Sequence, residues 1–173
     1  MKYEDQWKLY ILKLMKNVDY FENIDTDILR EVFYSLKQEY YEEGDVIFTF
    51  GDPGDKIIFV CMGSIDLYIP SPDGDEKGIF IDNLSLGSSF GSYSILSDTV
   101  RFFKGVAKQN TVVTLLTKTD LISMRFKYPK QMKVMEKCQK WVEEHGVPKM
   151  DFRLYRSRRG IEITKKIFVQ ACR

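Results

Sequence analysis

Phe90, Gly91, Ser92, Tyr93 and Ser94 stand in a row, and Arg101 follows Gly91 at a distance of ten residues. These residue types suit one kind of chemistry, the holding of an anion. A guanidinium is charged at every physiological pH and offers a planar fork of donors that matches phosphate oxygens two at a time. Glycine lets a ligand approach the backbone closely, and serine hydroxyls donate or accept hydrogen bonds. One bidentate, charge-assisted contact of this kind contributes roughly 1.5–3 kcal/mol. By composition alone Arg101 would be a solvated loop arginine.

Other chemistries find little support. His145 is the only histidine, and Cys61, Cys138 and Cys172 are far apart, odd in number and outside any CxxC spacing. No nucleophile stands with a base and no metal-ligand cluster is written, so the reading is not an enzyme, and no cofactor or metal is expected. Thiols so arranged suit a reducing, cytoplasmic setting. The 26 basic and 25 acidic side chains leave a net charge of +1, which does not predict a nucleic-acid partner. No stretch approaches the roughly 18–20 apolar residues of a membrane span. The opening MKYEDQWKLY is not a signal peptide, because acidic residues come early and no apolar run follows.

The elements that must position Gly91 and Arg101 come next. Gln6–Val18 sets Trp7, Tyr10, Ile11, Leu14, Met15 and Val18 at helical spacings. Asp25 or Thr26 then caps a second helix, predicted over about Asp27–Lys37, with Ile28, Leu29, Val32, Phe33 and Leu36 on one face. From Glu39 the texture turns to short β-rich runs: VIFTF, KIIFVCM, SIDLYI, KGIFI, KGVAK and TVVTLLT. They are divided by GDPGD, SPDGDEKG, LGSSFG and KQN, the pattern of an all-β roll, sandwich or barrel. After Leu116 helices return. A short one begins near Thr119-Asp120-Leu121, Tyr128-Pro129 marks a boundary, and Pro129–Glu144 carries Met132, Met135, Cys138, Trp141 and Val142 on one stripe. Gly146 and Pro148 end it, and a basic tail follows.

Tyr41-Glu-Glu-Gly44-Asp-Val-Ile-Phe48, Gly51-Asp-Pro-Gly54-Asp55, a strand closing at Gly63, and Phe90-Gly91 with Arg101 together resemble the cyclic nucleotide-binding domain family. The resemblance runs from about Lys16 to Glu144. It implies an α+β fold: an antiparallel β-roll (a double-stranded β-helix, jelly-roll-like) with N-terminal helices, a short cassette helix and a long C-terminal lid helix. Residues 1–37 would be the leading helices, 38–118 the roll with its phosphate-binding cassette at 90–103, 119–145 the hinge and lid, and 146–173 the tail. The ligand-binding candidates are Phe90, Gly91, Ser92, Tyr93, Ser94, Arg101, Phe102 and Phe103, with Met132, Met135 and Trp141 as lid candidates. Backbone N–H groups at the cassette helix start would hold the phosphate.

Where the chain departs from the family pattern, the implied affinity changes. Ser92 replaces the usual glutamate that accepts from the ribose hydroxyl, at a cost on the order of 1 kcal/mol. Phe102 and Phe103 replace small residues and either fill the site or face opposite sides of a strand. No threonine follows Arg101, which favours cAMP over cGMP. The implied function is a cyclic-nucleotide-binding regulatory domain, in flavour that of a potassium or cation channel. Its partners would be the nucleotide, the rest of a longer protein and further copies met through the N-terminal helices. The alternative is a homology domain that binds no nucleotide and is filled by its own Phe152-Arg-Leu-Tyr155 or serves as an interaction module. A helix-turn-helix regulator is disfavoured, because the tail after Met150 is too short for one.

Overall fold

The computed structural model of the chain describes residues 3–18, 21–92, 94–97 and 100–145. Tyr93, the segment Phe152–Tyr155, Cys172 and the rest of the tail lie outside the described residues.

Two helices open the chain, α1 (Tyr3–Lys16) and α2 (Thr26–Phe33). Asp25 caps α2, its carboxylate accepting from the Asp27 amide at 2.8 Å. The helix is shorter than its apolar spacing predicts. Tyr34 takes the C-cap, the Ser35 hydroxyl donates to the Val32 carbonyl at 2.6 Å, and Lys37 already belongs to a strand. A hydroxyl that bonds back onto a helix carbonyl offers the chain an exit from the helix.

Eight strands follow: β1 (Lys37–Tyr41), β2 (Val46–Phe48), β3 (Lys56–Met62), β4 (Ile65–Ile69), β5 (Ile79–Leu84), β6 (Ser89–Phe90), β7 (Lys104–Ala107) and β8 (Thr111–Thr117). They form two antiparallel sheets, in the orders β1-β8-β3-β6 and β2-β7-β4-β5. Between β6 and β7 lies a single helical turn, α3 (Ser94–Ser97), and after β8 come α4 (Lys118–Lys127) and α5 (Lys133–His145). The fold is therefore a mixed α+β jelly roll built on antiparallel sheets.

Two apolar cores result. One fills the roll, from Phe48, Ile58, Val60, Ile65, Leu67, Phe103, Val113 and Leu115. The other lies outside the first sheet, where Ile57, Phe59 and Leu116 meet residues of all five helices. Strand β3 serves both, because successive side chains point to opposite faces of a sheet. Its Ile57 and Phe59 face the helices, while Ile58 and Val60 face the roll interior.

Thr117 begins α4 with a reciprocal cap. Its hydroxyl accepts from the Asp120 amide, and the Asp120 carboxylate accepts from the Thr117 amide at 2.9 Å. The last helix starts later than its apolar stripe predicts. Pro129 does not open it; Tyr128 leaves the helical region at φ −127° and ψ 58°, as suits a residue before proline, and residues 129–132 make turns.

Candidate functional site

Arg101 is the residue around which the other candidates gather. The turn Gly51-Asp52 holds its backbone from both sides: the Gly51 amide donates to the Arg101 carbonyl at 2.9 Å, and the Arg101 amide donates to the Asp52 carbonyl at 2.7 Å. The side chain then runs inward and is only 3% exposed. Its Nη2 donates to the Lys56 carbonyl at 2.6 Å and its Nη1 to the Ser94 hydroxyl at 3.1 Å. The guanidinium carbon sits 5.5 Å from the ring centroids of both Phe48 and Phe90. Those two rings stack on one another at 4.9 Å and 9°. Burial pulls the guanidinium below its usual pKa range, and the fields of Asp55 and Asp52 oppose that pull.

Gly91 explains how the cassette approaches so closely. Strand β6 pairs with β3, Phe90 opposite Ile58, and hands the chain to Gly91 at φ +98°. A side chain there would be strained by its backbone alone. A β-carbon would also fall 2.3 Å from Arg101 Nη1 and 2.7 Å from the Lys56 carbonyl oxygen. The Gly91 carbonyl accepts from the Ser94 hydroxyl at 3.2 Å and from the Ile95 amide at 3.3 Å, which starts the helical turn. Gly91, Ser94, Lys56 and Arg101 thus form one compact cradle.

The remaining candidates separate. Ser92 lies in the turn between Gly91 and α3 and is partly exposed. Phe103 points into the roll, 7% exposed, with its ring edge-on to Phe90 at 5.5 Å. Phe102 points the other way and is 51% exposed, so the structure does not bring it to the cradle. Met132 and Met135 do not reach the roll interior either. They are buried in the outer helical core with Ile95 and Leu96 of α3, and Trp141 packs against that same core. Helix α5 therefore meets the cassette helix rather than the inside of the roll.

Phe48 and the Lys56 and Asp52 carbonyls were not foreseen as site groups. A carbonyl carries no sequence signal, since every residue has one. Phe48 had one in principle: it sits in the Tyr41–Phe48 stretch just before the turn that holds Arg101. Among the described residues no metal-binding cluster occurs, and no helix is long and apolar enough to cross a membrane.

Residues 38–128, more than half of the chain, match the family model "Cyclic nucleotide-binding domain". The chain belongs to the cyclic nucleotide-binding domain family. Domains of this family are regulatory rather than catalytic. Among curated proteins it is 28% identical over 102 residues to cGMP-dependent protein kinase 2 of Homo sapiens, covering 59% of this chain and 13% of the kinase. It is 30% identical over 89 residues to Potassium channel GORK of Arabidopsis thaliana, covering 51% of this chain and 11% of the channel. The chain thus spans a small fraction of either relative. A solved cyclic nucleotide-binding domain from Methylobacillus flagellatus shares the fold at TM-score 0.64 and 19% identity, covering 87% of this chain and 81% of its own.

Proposed function

We propose that this domain is a sensor that binds a cyclic nucleotide through its phosphate, with Arg101 as the charged anchor. One observation carries the reading: a guanidinium only 3% exposed whose hydrogen bonds, among the described residues, go to two neutral oxygens. Burying a charge whose hydrogen bonds go to neutral oxygens is costly even with the fields of Asp55 and Asp52 acting on it, and a guanidinium has five N–H donors to satisfy. An entering phosphate brings full negative charge to the fork and accepts from it, taking the place of the neutral oxygens of Ser94 and Lys56. Ser92 offers the ribose a neutral partner, so affinity is lower than a carboxylate there would give by a few-fold, on the order of 1 kcal/mol. With Phe102 in place of a hydroxyl after Arg101, cAMP is the favoured ligand.

The signal leaves through the outer core. Ile95 and Leu96 of α3 share that core with Met132 just before α5, with Met135, Cys138 and Val142 of α5, and with Ile11, Leu14 and Met15 of α1. A ligand that draws the Arg101 fork away from Ser94 shifts α3, and α3 cannot shift without disturbing α5 and the leading helix. This is a two-state element that a ligand biases. A longer regulated protein, channel or kinase, would read the change through α1 or α5. The likeness to a potassium channel and the leading helix support the channel setting.

Titration of the chain with fluorescent cAMP and cGMP tests the reading. Saturable binding at micromolar levels that Arg101→Ala abolishes supports it. No binding of either nucleotide up to millimolar levels sinks it, and leaves a ligand-free interaction module.

A further inference from the structure

The corner between α4 and α5 carries a feature that the anion cradle does not use. Phe126 is 91% exposed, and Ile122, one turn earlier on the same face of α4, is 55% exposed. Val134 at the start of α5 is exposed as well. Around this apolar corner stand Lys127, Lys130 and Lys133, all three exposed. The stretch Lys118–Lys140 holds seven basic and two acidic side chains in a chain whose net charge is only +1. The two acids are engaged: Asp120 in the α4 cap and Glu136 with Arg125. Lys127 is tied to Glu31 of α2, whereas Lys130 and Lys133 make no ion pair among the described residues.

We infer that this corner docks on an anionic lipid surface. Phe126 and Ile122 enter the boundary between headgroups and acyl chains, and Lys130 and Lys133 face the lipid phosphates. An apolar face edged by lysines is what such a surface attracts, through buried apolar area and charge together. A ring so fully exposed protrudes instead of lining a groove. It offers an acidic peptide no walls to lie between, while a fluid interface closes around it. The corner includes the start of α5, so attachment there would hold the sensor at a membrane beside an element that packs on the cassette helix.

Co-sedimentation of the whole 173-residue chain with vesicles provides the test. Vesicles of phosphatidylcholine with phosphatidylserine should retain the protein at low salt, and phosphatidylcholine alone should not. Lys130→Glu and Lys133→Glu should each weaken retention by about fivefold or more, and Phe126→Ser should weaken it several-fold, with melting temperatures unchanged because all three positions are exposed. In a Phe126→Trp variant, emission should shift to the blue when serine lipid is added. Three outcomes overturn the inference: no retention on serine-containing vesicles; retention that the three variants leave intact, which would assign it to the basic tail; or binding to a polyglutamate resin but not to vesicles, which would assign an acidic protein partner.

Discussion

At the scale of single residues, Gly91 and Arg101 depend on each other. Gly91→Ala sets a β-carbon into the space of the guanidinium and forces a positive φ on alanine, which costs about 1–2 kcal/mol from the backbone alone. We expect nucleotide affinity to fall at least tenfold in a protein that still folds, measured by titration beside a thermal melt. Tyr10 makes the opposite case. Its buried hydroxyl has no hydrogen-bond partner among the described residues, and burial, with the Cys61 thiol second, raises its pKa. Tyr10→Phe should therefore stabilise the chain by about 1 kcal/mol in urea denaturation; a loss of stability would show that the hydroxyl is satisfied. Arg101 was legible from its spacing to Gly91. The Lys56 carbonyl was not, because every residue has a carbonyl; Ser94 stood among the candidates, but its bond to Arg101 forms only once the chain has turned at Gly91.

At the scale of elements, hydrogen-bonding ends were harder to read than apolar middles. Strands β3 and β8 coincide with the runs KIIFVCM and TVVTLLT, whose apolar content leaves little choice. Strand β1, KQEYY, is nearly all exposed and is a strand only because β8 lies beside it. Strand β6 is two residues long and equally silent. The cap on α4 stands on a local pair, so Thr117→Ala should cost about 1 kcal/mol by denaturant titration. A second contact joins distant helices: the Glu31 carboxylate of α2 accepts from Lys127 and from the Tyr128 hydroxyl at the end of α4. The hydrogen bonds from Lys127 and then Tyr128 hold the Glu31 pKa below its ordinary 4.5. A carboxyl depressed in the folded state adds stability above its ordinary pKa and loses it as pH falls through the folded value. Glu31→Gln should lower stability at neutral pH and flatten its fall below pH 4.5, so that the two proteins converge once Glu31 is protonated; an unaltered acid limb would refute the contact.

At the scale of the molecule, the roll and the helices are joined through shared apolar packing. Strand spacing pointed to a sandwich, roll or barrel, the family resemblance implied the jelly roll, and the helical flanks followed from the opening and closing periodicities. The existence of two separate cores did not, since no sequence pattern shows on which side of a sheet a helix will lie. That division decides how a ligand is felt. At a hundredfold excess over Kd a nucleotide should stabilise the fold by about 2.7 kcal/mol, a rise of roughly 5–10 °C in melting temperature. If α3 passes the change outward, amide exchange should also slow in α5 and α1. Slowing confined to the strands would mean that the helices do not take part.

Strand β3 has no wet side, and that has a consequence for how the chain finds its register. In a strand with one apolar face, a slip by one residue is penalised at once, because oil and water change places. Ile57, Ile58, Phe59 and Val60 are all buried, so the same slip would trade one greasy surface for another. The alignment must come from the strand's ends: the irregular step between Val60 and Met62 against β8, and the bend at Gly63, where a β-carbon would lie 2.4 Å from the Asn110 carbonyl oxygen. Loosening that bend should yield molecules that are compact yet misthreaded, with the Lys56 carbonyl displaced from the guanidinium it is meant to meet.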